Sequence, residues 1–325
     1  MSIRIGFIGL GDIANLHIQG LQRIEGADIV AVYDLNRDKA VNAAERTGAQ
    51  VMDSAEQVLD PERIDAVYIC TPQFARGNLE ETAALRGIHL FVEKPLGLDL
   101  GEVRRKEKAI LEAGIVHSVG YCLRYLDTVQ QARAYLQDRK PHLIQAYRFG
   151  GTHPAEWWHR LDLSGGHLVD AATHQVDMIR YIAGEFSEVE GKFGRVSFDR
   201  MQSKGTIYDA GAISFAMEQG AVGSLTESCH SAYHIASDVK VFGHDFFIHL
   251  SGNGFGLTIV DDTGDETFTS ALDPYFEQSK AFVEAVKTNT QEPILSSYSD
   301  GARTLAFTLA ANRSAEQLNP IRLSP

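Results

Sequence analysis

Cysteine is scarce in this chain of 325 residues: Cys70, Cys122 and Cys229 are the whole complement, and no two are close enough for a zinc knuckle or a dithiol redox pair. Each is expected to be a small core residue in a reducing compartment. Positive charge is short as well, with 30 lysines and arginines against 43 acidic residues and a formal net charge of −13. A polyanionic partner would need a strongly localised basic patch. The best candidate is Arg104, Arg105, Lys106 and Lys108, whose helical spacing reads as a solvated face, so no nucleic acid is expected. No run of about 18 apolar residues occurs, and the N-terminus lacks a basic segment followed by a long apolar stretch. No membrane partner is expected, and the location expected is cytoplasmic. Low-complexity tracts and repeats are missing too. What remains, 44% apolar and 22% charged, has the proportions of a globular chain, and its length suggests two domains at about 150 residues each.

Up to about residue 120 short apolar runs alternate with helical patterns. The runs Ile3 to Ile8, Ile29 to Tyr33, Ala66 to Cys70, His89 to Val92 and Val116 to Gly120 are too short for helices and rich in β-branched or aromatic residues. Helices are expected at Asp12 to Ile24, Arg37 to Arg46, just after Ser54 with Gln57 as a capping box, Gly77 to Leu85 and Asp99 to Ala113. The alternation predicts an α/β domain with a doubly wound parallel sheet over residues 1–122. Beyond a helix at Thr128 to Asp138 the pattern changes. The runs His142 to Phe149, Val189 to Phe198, Ala210 to Met217, Ala221 to His230, Val239 to Phe242 and Phe246 to Leu250 predict an open, mainly antiparallel sheet in an α+β domain over 123–325. One helix, Gly166 to Ala183, interrupts it. Helices at Asp273 to Thr288 and Asp300 to Gln317 close the chain and are allowed to pack back on the first domain.

The first strand runs directly into Gly9-Leu10-Gly11-Asp12-Ile13-Ala14, a GxGxxA that opens a helix. In this setting Gly9 permits a tight turn, Gly11 lets a pyrophosphate approach, and amides at Asp12 and Ile13 can hold it. The second strand ends at Asp34, where a carboxylate can accept bonds from ribose hydroxyls and repel a 2′-phosphate. That favours NAD; Arg37, three residues on, leaves NADP possible unless it is only a solvated helix start. Thr71-Pro72 and Glu93-Lys94-Pro95 follow two further strands. In a parallel sheet all these strand ends share one edge, so the glycine loop, Thr71-Pro72 and Lys94 are expected to converge. A lysine there can polarise an oxygen or exchange a proton, or can be an ordinary turn residue.

In the second half Asp170, His174 and Asp177 stand at i, i+4 and i+7, on one face of a helix. The plain reading is a solvated polar stripe opposite Ala172, Val176, Ile179 and Ala183. Metal ligation is weighed against it, but no third group has ligand spacing, so no metal is expected. Just upstream, Thr152 to His159 holds His153 and the pair Trp157-Trp158, whose rings suit either a sugar face or a core.

These residues resemble the Gfo/Idh/MocA family, named for glucose-fructose oxidoreductase, inositol dehydrogenase and rhizopine catabolism. The resemblance covers nearly the whole chain. It rests on GFIGLGDIANLH at Gly6 to His17, CTP at Cys70 to Pro72, GIHLFVEKPL at Gly87 to Leu96, VGYCLRY at Val119 to Tyr125, SGGHLVDAATHQVD at Ser164 to Asp177 and SDGARTLAFTLAANRSA at Ser299 to Ala315. It implies a Rossmann domain followed by an open sheet whose outer face builds a homodimer or homotetramer. By motif position Lys94 matches the catalytic lysine, Asp170 the carboxylate that orients substrate, and His174 the acid/base histidine. Arg124, His153 and Tyr233 fall where members contact substrate, and Trp158 is placed with them. Members often carry histidine after the TP pair where this chain has Arg76, and lysine where it has Ile88. The expected activity is NAD(P)-dependent oxidation of a secondary alcohol of a sugar, cyclic polyol or sugar derivative. The alternatives are an NAD-dependent glycosidase of the same family and a non-catalytic dinucleotide-binding regulator.

Overall fold

Strands form between residues 3 and 119 where β-branched runs bounded by turn residues are buried on both faces, the pattern that a sheet covered by helices on each side requires. The computed structural model describes residues 2–201, 204–231 and 233–323. In chain order the elements are β1 Ile3–Ile8, α1 Asp12–Leu21, β2 Ala27–Tyr33, α2 Arg37–Thr47, β3 Gln50–Val51, α3 Ala55–Val58, β4 Ala66–Ile69, α4 Leu79–Leu85, β5 His89–Val92, α5 Leu100–Ala113 and β6 His117–Val119. They continue with α6 Asp127–Leu136, β7 Leu143–Phe149, α7 Leu161–Ser164, α8 Gly166–Asp170, α9 Thr173–Ala183, β8 Phe186–Gly194 and α10 Val196–Arg200. The remainder is β9 Ala210–Met217, β10 Val222–Ser228, β11 Ala236–Phe242, β12 Phe246–Ser251, β13 Gly256–Asp261, β14 Gly264–Thr269, α11 Pro274–Thr288, α12 Tyr298–Gln317 and β15 Ile321–Arg322. Two units result, Met1–Cys122 with Asp273–Ala302, and Leu123–Leu272 with Arg303–Pro325.

In the first unit the strand order is β3-β2-β1-β4-β5-β6, and every pairing is parallel. This is the Rossmann order, with the chain reversing its progression at β1 and β4. Phe7, Tyr68 and Phe91 stack on adjacent strands at centroid separations of 4.8 and 4.4 Å, and Phe282 of α11 meets the last two edge-on. Asp273 caps α11 through the amides of Tyr275 and Phe276, with Pro274 in the first turn. Segment Asp273–Ala302, read from sequence with the second domain, clusters with the first unit.

The second unit holds a nine-stranded sheet, β14-β13-β12-β11-β7-β10-β9-β8-β15. All its pairings are antiparallel except β7 with β10. Burial alternates along β9 and β11, so one face is apolar, and α6, α9 and the end of α12 cover it through Val129, Val176, Ile179 and Phe307. Three expectations need correction. The helix from Gly166 to Ala183 is broken into α8 and α9, because the amides of Ala171 and Ala172 both turn back to the His167 carbonyl. The run Val189 to Phe198 leaves the sheet at Gly194, and Val196–Arg200 is helical. Strands β3, β13, β14 and β15 were not anticipated; β14 is almost wholly exposed and acidic, with no apolar alternation to announce it.

Candidate active site

The carboxyl edge of the parallel sheet is built first by glycine. Gly9 has φ +87°, and a Cβ there would come within 2.7 Å of the Thr71 amide, so the loop after β1 lies directly on the loop after β4. Gly11 differs: its backbone is extended, and a Cβ would meet nothing within 4 Å. It caps α1 without a side chain, so no side-chain cap bond from this residue occupies the first-turn amides at Asp12 and Ile13. The space beside Gly11 and these amides fit a pyrophosphate. Asp34, half-buried after β2, accepts from the Leu10 amide at 2.7 Å and the Asn36 amide at 2.8 Å, tying the glycine loop to the second strand end. Arg37 is largely exposed and pairs with Asp53 at 3.2 Å.

The strand-end turn Glu93-Lys94-Pro95 is fixed from beneath. Glu93 is buried; its Oε2 accepts from the Lys94 amide at 3.0 Å, and its Oε1 lies 2.8 Å from His17 Nε2. His17 is itself fully buried in α1 and reaches the Ser279 hydroxyl at 3.3 Å with Nδ1. A side chain at Gly120 would collide with the Glu93 carboxylate. Lys94 is thus the half-buried residue at the tip of a turn with a rigid base. Thr71-Pro72 stands beside it, and both carbonyl ends, Thr71 and Pro95, bond the buried Arg76 guanidinium. The candidate residues of this unit, Gly9, Gly11, Asp12, Ile13, Asp34, Thr71, Pro72, Glu93 and Lys94, all lie at one sheet edge. His17 was legible only as a letter of the glycine motif, and nothing local marked its bond to Glu93, 76 residues away. Lys106 corrects the expectation of a solvated basic face: it is buried against Glu80 at 2.5 Å and Glu102 at 2.8 Å.

In the second unit Asp170 ends α8 and His174 opens α9, both half-buried. Trp158 is 2% exposed, so it presents no face for a sugar to stack on, which corrects its reading as a substrate contact. Its indole N–H donates instead to Asp170 Oδ2 at 2.8 Å. Edge-on to that indole lies His167, buried and paired through Nδ1 with Glu227. Asp177 is not part of a solvated stripe: it is buried and held by Arg124 through Nε at 2.8 Å and Nη2 at 2.7 Å, with the Thr304 hydroxyl at 2.9 Å. Arg124 is therefore committed to a buried bidentate pair rather than turned toward substrate. His153 is exposed, with its Nδ1 accepting from the Ala155 amide at 3.1 Å. Tyr233 is fully exposed. All three cysteines are buried thiols whose pKa burial drives up, to about 12 for Cys122 and Cys229, so none is a nucleophile at neutral pH. Among the described residues no three His, Cys, Asp or Glu side chains gather as metal ligands.

A Rossmann sheet of this order, with a glycine loop on an uncapped helix, an acid at the second strand end and a lysine at the fifth, defines a dinucleotide-dependent oxidoreductase. Residues 3–121 match the oxidoreductase family with an NAD-binding Rossmann fold, and residues 128–248 match the GFO/IDH/MocA C-terminal domain. The chain belongs to the Gfo/Idh/MocA family, and its first unit is an NAD-binding Rossmann domain. It is 29% identical to myo-inositol 2-dehydrogenase of Thermotoga maritima, over 99% of this chain and 98% of that protein. It is 27% identical to scyllo-inositol 2-dehydrogenase (NAD(+)) of Bacillus subtilis, over 99% and 96%. Levoglucosan dehydrogenase in complex with NADH and levoglucosan shares the fold, with TM-score 0.90 over the full length of both chains at 21% identity.

Proposed function

We propose that the protein oxidises a secondary alcohol of a cyclic polyol, sugar or sugar derivative with NAD as acceptor. The observation that carries this reading is the rigid Glu93-Lys94-Pro95 turn at the sheet edge where the glycine loop also ends. NAD, when bound, supplies the acceptor for the hydride of the alcohol carbon. Lys94 donates to the alcohol oxygen and stabilises the negative charge that grows there. His174 takes the hydroxyl proton, since imidazole accepts one near neutral pH without special tuning. Asp170, steadied by the Trp158 indole, orients substrate and base. Asp34 accepts from the adenosine ribose hydroxyls and disfavours a 2′-phosphate, which selects NAD over NADP. His153 and Tyr233 supply exposed contacts for substrate. Inositol dehydrogenases at 27–29% identity over nearly full length support the substrate class.

The domain arrangement of the proposal is cofactor binding by residues 1–122 and substrate binding by the chain from 123 onward. The outer face of the second sheet carries Leu143, Phe149, Phe242 and Phe247, each half-buried, and a second copy of the chain covers them in a homodimer or homotetramer. The test is a screen of purified protein against inositols, aldoses and sugar acids with NAD and NADP, following the absorbance of reduced cofactor. Turnover of at least one cyclic polyol or aldose, better with NAD, is expected. NAD-dependent hydrolysis of aryl glycosides without net reduction would move the protein to the glycosidase reading, and NADH binding with no turnover would move it to the regulator.

A further inference from the structure

Beneath the two strand-end turns of the first unit lies a group of charges that the proposed reaction does not use. Arg76 follows the Thr71-Pro72 turn, yet its side chain is only 1% exposed. Nε donates to the Thr71 carbonyl at 3.0 Å and Nη1 to the Pro95 carbonyl at 2.8 Å. These two carbonyls belong to the turns after β4 and β5. Nη1 also stands 3.8 Å from Glu80 Oε1, and Glu80, with no exposure, is paired on its other oxygen with buried Lys106. A buried cation whose carboxylate partner is shared with a second buried cation is costly, and an apolar side chain of the same size would pack there at less cost. What an apolar residue cannot do is bridge two carbonyls on different turns, which the planar fork of guanidinium does. The bridge continues through Thr71, on whose backbone Gly9 is packed. The loops after β1, β4 and β5 are thus held in one register by a single side chain.

We propose that Arg76 is a positioning residue that clamps these three loops, so that the cofactor groove and Lys94 keep their relative placement, with Glu80 balancing its charge and Glu102 helping to balance that of neighbouring Lys106. The inference rests on the reading that NAD and Lys94 work at this edge. Lysine at this position would keep the charge against Glu80 but offers one point donor on a flexible stem, so it loses the bridge. Arg76→Lys is therefore the informative variant. Its NADH dissociation constant, read by quenching or enhancement of reduced-cofactor fluorescence, is expected to rise at least fivefold. With the alcohol identified by the screen, kcat is expected to fall more than KM rises, because placement of Lys94 matters to the reacting oxygen more than to ground-state binding. If Arg76→Lys does not fold, Arg76→Gln combined with Glu80→Gln removes both charges of the pair, leaves Lys106 with Glu102, and is expected to give the same two changes.

NADH affinity and kcat both within twofold of wild type in a folded variant would overturn the clamp while leaving the dehydrogenase reading intact. Loss of fold in both variants would also overturn it, assigning Arg76 to stability alone. Wild-type protein that binds no NADH would remove the reading itself, and the clamp with it.

Discussion

His117 makes the stability of the first unit sensitive to acid. It lies in β6 at 6% exposure, and its Nδ1 accepts the Tyr298 amide at 3.0 Å, so the fold requires the neutral ring with an open lone pair there. Its backbone is bonded on both sides by Gln291, which holds the ring in place. Burial lowers its pKa from an ordinary 6.5 to about 4, against a smaller opposing pull from Asp300 and Glu107. Between those values the unfolded chain binds a proton that the folded chain refuses, so stability is complete above pH 6.5 and is lost as pH falls toward 4. At about 1.4 kcal/mol per unit the loss is ~3 kcal/mol, levelling off below pH 4 where both states are protonated. His89, whose Nδ1 accepts from the Val116 amide, is shifted down by burial in the same direction and steepens the slope. His117→Asn separates the two, because the Asn carbonyl oxygen can take the place of Nδ1 as acceptor and does not titrate. Urea unfolding followed by circular dichroism at pH 7, 6, 5 and 4 should show the variant losing about 3 kcal/mol less than wild type over that range. Parallel curves for the two proteins, with equal m-values, would refute the assignment.

Trp158→Phe keeps a ring in the small core with Phe198, Ile207 and Cys229 but removes the donor to Asp170. A bond to a half-exposed carboxylate is worth about 1.5 kcal/mol, so kcat should fall about tenfold with NADH affinity unchanged; an unaltered kcat would deny the indole its positioning role. Asp34→Ser removes repulsion of a 2′-phosphate and the carboxylate that bonds the glycine loop at Leu10 and its own turn at Asn36, so NAD affinity should drop while relative use of NADP rises. A wild-type preference for NADP in titration would contradict the role of Asp34. Light scattering should give a dimer or tetramer at micromolar concentration, and a monomer there would leave the apolar outer face of the sheet without its second copy. Lys94→Ala and His174→Ala should each cut turnover about 100-fold or more with little change in NADH affinity, and near wild-type turnover in either would remove that residue from the proton-handling pair.

The first unit was legible because its signals are local. Strand runs of four to six residues, a glycine pair between strand and helix, and an acid or lysine at a strand end are each read within one short window. The sheet edge then follows from topology alone, since parallel strands put their carboxyl ends together. The helix break at Ala171-Ala172 gave no such signal, because two alanines are the strongest helix formers available. Only the preceding Gly165-Gly166, both at positive φ, hints at irregular backbone nearby.

The misread side chains share one cause. Asp177 and Lys106 are assigned by helical spacing to a solvated face, Arg124 by the resemblance and Trp158 by residue type to a substrate contact, and each is buried with a polar partner. Arg124 meets Asp177 from 53 residues away, Lys106 meets Glu80 across two helices, and Trp158 meets Asp170 from a different segment. A charged residue is written identically in sequence whether water or a partner compensates it, and the cost of burial is met only by that partner. Periodicity therefore identifies which polar residues share a face, while the partner decides whether that face is wet. Two motif residues illustrate the consequence: Asp170 and Asp177 are seven apart and both acidic, yet one is half-buried and accepts from the Trp158 indole, the other buried between Arg124 and Thr304. A carboxylate left half-buried keeps an accessible edge for a ligand, whereas one closed by a bidentate arginine does not, and that difference supports the proposal that Asp170 rather than Asp177 orients substrate.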